Sequence, residues 1–410
     1  MKRLLLLLGS ETYRARDFLD AAARLGVEVT VATDRAAAAA SLAPEATLVL
    51  PFGRPDAATE RIVTAHRARP VDAVVAADDD GVLLAAQARR ALGLPGNPAE
   101  AVAAARDKRV FRDVLRAAGL PGPWFRAFPL AEGPERAAAL VPYPCVLKPL
   151  FLSASQGVIR ADDPRAFAAA WRRIAAILAL PDVRERGGEQ ADWLLVEGFI
   201  PGAEAALEGI LVDGEFRLLA FLDKPDPLDG PVFEETLFVT PSRHPPAAQA
   251  AAAELVARAA RALGLRTGPL HAELRLGPGG PVPVEIAPRP IGGHCARILR
   301  FGAGISLEEL ILRQALALAP LPLEREARAA GVMMIPIPKA GRLVAVSGVE
   351  AARAVPGVLD VEISIPLTQA VVPLPEGHRY LGFIFAKDAT PRAVEASLRE
   401  AHRRLRFDIR

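Results

Sequence analysis

Between Leu4 and about Leu92, apolar runs of strand length alternate with helical stretches, a pattern that confines this part of the chain to a layered βα domain. The runs fall at residues 4–8, 27–32, 47–50 and 73–77, with a helix expected at 18–25. Met1-Lys2-Arg3 ahead of the leucines imitates a secretory leader. The apolar run is short, however, lacks a small-residue cleavage site and passes into Gly9-Ser10-Glu11, so it reads as a buried first strand. No G-x-G-x-x-G follows that strand, and a dinucleotide site is not supported. Asp78-Asp79-Asp80, after the last run, reads as the carboxylate-rich start of a helix rather than as a metal or substrate site.

At 410 residues the chain exceeds one ordinary core, so further domains must follow. Hydrophobic residues make up 51%, charged residues 24%, and the net charge is +2, a globular profile with no demand for nucleic acid. The basic cluster Arg403, Arg404 and Arg406 reads as a solvated helix face. No apolar stretch approaches the roughly 20 residues that span a bilayer. Cys145 and Cys295 supply neither a disulfide framework nor metal-type spacing and point to a reducing cytoplasm. The alanine tracts at 36–40 and 250–253 fit helices or surface turns. With 6 lysines against a large arginine excess, a lysine marks a place where arginine is chemically unsuitable.

The turn Gly93-Leu94-Pro95-Gly96-Asn97-Pro98 sets the first boundary, giving a domain at 1–97. A mixed α+β region with many short strands follows at 98–318, divisible near 193/194. Pro320-Leu321-Pro322 then leads to a C-terminal α/β domain at 319–410, which closes with a strand at 380–386 and a basic helix at 391–404.

The central region carries an ordered series of chemical features. Lys108 opens a helix. Lys148 ends the apolar strand Cys145-Val146-Leu147, where a lysine needs an anion to meet it. Ser153-Ala154-Ser155-Gln156-Gly157 is a small-residue loop whose amides and hydroxyls suit phosphates. The strand ending in Val196-Glu197-Gly198-Phe199-Ile200 is followed by Glu204 and Glu208, offering backbone groups to an adenine edge and a carboxylate to ribose hydroxyls. Glu273 and Glu285 lie on strands joined by Gly277-Pro278-Gly279-Gly280. Their carboxylates repel unless a hard cation such as Mg²⁺ sits between them. His271 reads as a core histidine, and His294 and Cys295 line a pocket or simply pack.

This order of residues resembles the ATP-grasp superfamily over about 99–318, and the flanking domains look like those of its carboxylate–amine ligases. Phe221-Leu222-Asp223-Lys224-Pro225, Phe233-Glu234-Glu235-Thr236 and Arg289-Pro290-Ile291-Gly292-Gly293 look most like L-amino-acid ligases that make dipeptides. The resemblance implies an ATP-grasp fold preceded by a Rossmann-like domain, with ATP and Mg²⁺ (or Mn²⁺) as cofactors. Lys108 and Lys148 would grip phosphates under the Ser153, Ser155, Gln156 and Gly157 loop. Val146 would pack on adenine, Glu197, Gly198, Phe199 and Ile200 would form its hinge, and Glu204 would take the ribose. Glu273 and Glu285 would bind metal, Arg289 would hold the reacting carboxylate, and Glu208, Lys224, Glu235, Gly292 and Gly293 would line the substrate site. Two departures stand out: Ala287 replaces a metal-binding asparagine, and Phe238 stands where relatives carry a histidine.

The implied reaction turns a carboxylate into an acyl phosphate and joins it to an amine, releasing ADP. Small-molecule acids and amines, amino acids foremost, would be its partners, with no membrane or nucleic acid and with room for a homodimer. Two alternatives are a carboxylase or formyl-phosphate transformylase, and a nucleotide-binding regulatory module without turnover.

Overall fold

The computed structural model describes residues 1–9, 12–35 and 47–410; Ser10, Glu11 and the alanine tract at 36–40 lie outside it. In chain order the strands are β1 (Arg3–Leu8), β2 (Glu28–Thr33), β3 (Thr47–Val49), β4 (Ala73–Ala76), β5 (Phe125–Pro129), β6 (Cys145–Pro149), β7 (Ile159–Ala161), β8 (Trp193–Gly198), β9 (Ala203–Val212) and β10 (Glu215–Asp223). They continue with β11 (Leu237–Thr240), β12 (Gly268–Gly277), β13 (Gly280–Ala287), β14 (Ala329–Ile335), β15 (Gly341–Ser347), β16 (Val358–Ile363), β17 (Ala370–Val371), β18 (Gly382–Asp388) and β19 (Arg406–Ile409).

The first four strands form a parallel sheet in the order β3-β2-β1-β4. Leu4 to Leu8 are all buried, because β1 is an inner strand whose side chains meet packing on both faces. That requirement explains the unbroken leucine run, which has no place in water. The helix expected at 18–25 runs earlier, over Ala15–Arg24, and buries Phe18, Ala21 and Ala22.

The second sheet is antiparallel, β5-β8-β6-β7, and its cluster of Phe128, Phe167 and Trp171 packs the helix Pro164–Leu178 against it. The helix Lys108–Ala117 is started by Asp107, whose carboxylate accepts from the amides of Arg109 and Val110 at 2.9 and 3.0 Å.

The largest sheet has eight strands, β13-β12-β9-β10-β11-β14-β18-β16, and it crosses the boundary expected at 319. β14 pairs with β11 on one side and β18 on the other, so the last domain extends the central sheet rather than standing apart. The proline-rich stretch is irregular, yet Phe301, Leu312, Leu316 and Val332 share one apolar cluster across it. A small sheet, β17-β15-β19, finishes the chain with the helix Pro391–Arg404 packed on β14 and β18.

Candidate active site

A cavity of about 730 Å³ opens beyond the carboxyl ends of β1 and β4 and is walled by both antiparallel sheets. Open parallel sheets leave a crevice at that edge. One end of the cavity is cationic, the middle acidic, and the far end mixed.

At the cationic end β6 delivers Lys148, which forms an ion pair with Glu197 on the neighbouring β8. Arg112, from the helix Lys108–Ala117, binds the same carboxylate at 2.7 Å and also donates to the carbonyls of Pro283 and Val284 at 2.8 and 3.3 Å. Lys148 and Arg112 are 7% and 2% exposed, so two cations share one buried carboxylate. Burial alone would raise the Glu197 pKa, but Arg112 and Lys148 together pull it below the usual range. Burial, reinforced by the charge of Arg112, pulls Lys148 down. The group therefore carries surplus positive charge, which an anion in the cavity would complement.

Beside it, Lys108 donates to the carbonyl of Leu152 in the small-residue loop. Ala154, Ser155 and Gly157 of that loop all have positive φ, at 52°, 55° and 72°. Successive residues of this kind turn amides inward as an anion-binding concavity. A Cβ at Gly157 would lie 2.8 Å from Pro149, so only glycine fits there. Val146, Phe199, Leu228 and Phe233 supply an apolar patch next to it.

In the middle, Glu204, Glu235 and Glu273 surround the ammonium of Lys224. Its Nζ lies 2.7 Å from Glu204 and 2.9 Å from Glu273, and it is also paired with Glu235. Arg275 reaches Glu204 at 2.9 Å, and His271 stands 3.4 Å from Glu273 and 3.5 Å from Glu208. The three glutamates each offer an oxygen within 4.8 Å of the others. Burial and the negative charge of Glu273 push Glu235 up to about 8. Burial lowers Lys224, but the three carboxylates outweigh it and hold the lysine charged. Glu285 is the cross-strand partner of Glu273 and meets Arg289 at 3.7 Å. The converging carboxylate oxygens form an all-oxygen donor set of the kind a hard divalent cation takes, with the Lys224 ammonium among them.

At the far end Arg289 binds Asp79 at 2.8 Å, and Tyr13 accepts from the Gly293 amide at 2.6 Å. Burial raises Asp79, but Arg289 overcomes it and brings the pKa to about 2. Phe238, Met334, Tyr380 and Phe383 complete an apolar wall.

Lys108, Val146, Lys148, Ser153, Ser155, Glu197, Gly198, Phe199, Ile200, Glu204, Glu235, Glu273, Glu285, Arg289, Gly292 and Gly293 thus line one cavity. Four expected residues do not. Glu208 is fully buried behind His271, and Lys224 lies beneath the glutamates it neutralises. Gln156 and the Gly157 amide are turned toward the C-terminal segment, where they donate to Glu376 and Pro375 at 2.9 Å. The Glu197 side chain is locked in its ion pairs rather than free for an adenine, and the amides of Gly198 and Phe199 already donate to Trp124 and Pro144 at 3.0 and 3.1 Å. Asp78, Asp79 and Asp80 do open the helix Asp79–Ala91, but all three also line the cavity. His294 and Cys295 are buried packing residues; the His294 ring packs tilted against Tyr13 with ring centres 4.4 Å apart. Arg112 and Arg275 were not anticipated. Each had a signal: Arg112 lies four residues beyond Lys108 between Phe111 and Leu115, and Arg275 alternates with Glu273 and His271 on one strand.

Comparisons with known proteins identify related chains. Residues 19–96 match the ATP-grasp N-terminal domain, 141–298 the ATP-grasp domain, and 333–410 the L-amino acid ligase C-terminal domain 2. The crystal structure of L-amino acid ligase from Bacillus licheniformis superposes with a TM-score of 0.85 and 28% identity, covering 100% of this chain and 99% of that one. Carnosine synthase 1 of Gallus gallus is 32% identical over 295 residues, covering 67% of this chain and 31% of the relative. Alanine--anticapsin ligase of Bacillus subtilis (strain 168) is 27% identical over 267 residues, covering 62% and 56%. The matched regions span from about a third to about half of these curated relatives' own length. No helix among the described residues is long and apolar enough to cross a membrane. The chain is an ATP-grasp protein, similar along its whole length to an L-amino acid ligase.

Proposed function

We propose that this protein is an ATP-dependent carboxylate–amine ligase that forms an amide, a dipeptide in the simplest case, through an acyl phosphate and releases ADP and phosphate. The observation that carries the reading is one cavity joining a cationic phosphate end to Arg289 through a bank of glutamates. Phosphoryl transfer needs positioning and charge neutralisation more than covalent help from the protein. Lys148 and Lys108 would grip the nucleotide's phosphates under the Ser153–Gly157 loop, with Val146 and Phe199 against the base. Glu273 and Glu285 would hold Mg²⁺, which when bound would neutralise phosphate charge.

Arg289 would fix the reacting carboxylate in line with the γ-phosphate, its planar fork pairing two oxygens at once. Its present partner Asp79 keeps the guanidinium oriented before substrate arrives. Glu235, with Lys224 behind it, would take the ammonium of that same amino acid. Closing the loop would exclude water and protect the acyl phosphate until an amine attacks.

The apolar wall of Phe238, Met334, Tyr380 and Phe383 favours an acid larger than bicarbonate or formate, which sets this reading above the carboxylase or transformylase. The test is incubation with ATP, Mg²⁺ and pairs drawn from an amino-acid panel. ADP and phosphate should rise with paired amino acids, and mass spectrometry should find the condensed amide. Release of AMP, or activation by bicarbonate or formate alone, would replace this reading.

A further inference from the structure

Asp78 is an unusual start to a helix. Aspartate is among the residues best suited to cap the first turn, yet the Asp78 side chain makes no capping bond to the helix Asp79–Ala91. Its Oδ1 is instead shut off from solvent with no hydrogen-bond partner among the described residues, and the residue lines the cavity. The neighbouring carboxylates have other positions: Asp79 is bound to Arg289, and Asp80 is exposed. Burial, with the charge of Asp80 added, pushes Asp78 up to about 6, while Asp79 is drawn to about 2. Burial raises Asp80 as well, but of the three only Asp78 combines a raised pKa with an oxygen shut away from solvent at the cavity wall, which suits it to accept a proton.

We propose that Asp78 is the general base that deprotonates the attacking amine, an inference resting on the ligase reading above. Through Asp79, Asp78 sits one residue from the partner of Arg289, the group that would hold the acyl phosphate. An ammonium has no lone pair, so the second half-reaction needs a proton acceptor there. One ammonium proton passes to Asp78, and the nitrogen lone pair forms the C–N bond. The bond from the acyl carbon to the phosphate oxygen breaks, and phosphate leaves with that electron pair and a second nitrogen proton. Asp78 returns its proton to water once the amide departs. The groups that set its titration are the Thr12 hydroxyl, the Arg14 cation, and Asp79 and Asp80 on its own helix. Arg289 and Arg106 act on Asp79, and Arg106, Arg186 and Asp34 act on Asp80.

The experiment compares two acceptors, an amino acid and hydroxylamine, which is already neutral at neutral pH and needs no base. Asp78→Asn should lower amide formation with the amino acid by about 100-fold or more. Hydroxamate formation should change by less than about threefold, which also reports that the variant is folded and makes the acyl phosphate. The deficit with the amino acid should shrink as pH rises and the free amine becomes populated. In the unmodified protein, kcat/KM for the amino-acid acceptor should fall on the acid side of about 6, and Asp78→Asn should lose that inflection. Equal loss with both acceptors, or no loss with either, would overturn the role of Asp78. Absence of hydroxamate from the unmodified protein with any amino acid would overturn the ligase reading, and the proposal with it.

Discussion

Arg289 and Asp79, far apart in sequence, meet at 2.8 Å and join the parallel sheet to the hairpin β12–β13 at the far end of the cavity. The pair defines where a substrate carboxylate would bind. Arg289→Lys keeps the charge but loses the two-pronged contact, so activity should fall by about 100-fold or more in steady-state ADP release. Asp79→Asn should mainly raise KM for the acid, because it frees the guanidinium without removing it. A change in kcat alone would show that Asp79 does not position Arg289.

Glu197 lies between two buried cations, Lys148 and Arg112. Glu197→Gln should destabilise the fold by about 3–5 kcal/mol, measured by urea unfolding, since Lys148 and Arg112 would remain buried without a counter-charge. Lys148→Ala should abolish ADP release. A Lys148→Ala variant with full activity would remove the lysine from the mechanism.

Lys224 neutralises Glu204, Glu235 and Glu273 from within. Lys224→Met should lower the Tm in chelator, because three facing carboxylates lose their shared cation. Mg²⁺ should then raise the Tm of the variant more than that of the unmodified protein, since a ligand that binds only the folded state stabilises by mass action. Equal Mg²⁺ shifts would show that the trio does not take the ion.

The folded-state pKa of Asp78, about 6, lies above the ordinary 3.8. The folded protein therefore binds this proton more tightly than the unfolded chain, and stability falls as pH rises from about 4 to about 6. Asp78→Asn should be the more stable protein above that window, by about 1–3 kcal/mol, with the advantage vanishing in acid. Thermal melts across this range decide the sign. A variant less stable at neutral pH would mean that the carboxylate is a structural partner.

Much of this arrangement was legible in the sequence. The order of Lys108, Lys148, the loop at 153–157, Glu273, Glu285 and Arg289 rests on local signals: a lysine ending an apolar strand, a small-residue loop and a glycine-rich hairpin. Alternation along β12 also placed His271, Glu273 and Arg275 on one face, although Arg275 was overlooked. What escaped detection depends on long-range closure. Nothing near Lys224 in sequence announces three glutamates around it, and no periodicity tells that Asp79 faces Arg289 or that Gln156 turns to Glu376. The proline-rich stretch at 320–322 suggested a linker to a separate domain, but a break in the chain's regularity carries no information about whether the next strand joins the same sheet, as β14 does.

The unbroken hydrogen bonding from β13 to β16 has a consequence for dissection of the molecule. Cutting the chain after 318 would strip β14 from β11 and leave a row of unpaired amides and carbonyls on an apolar strand, inviting edge-to-edge association. It would also remove Met334, Tyr380 and Phe383 from the far end of the cavity. The terminal segment therefore supplies one side of the cavity wall, so a change that loosens β14 would disturb the central sheet and the shape of the cavity together.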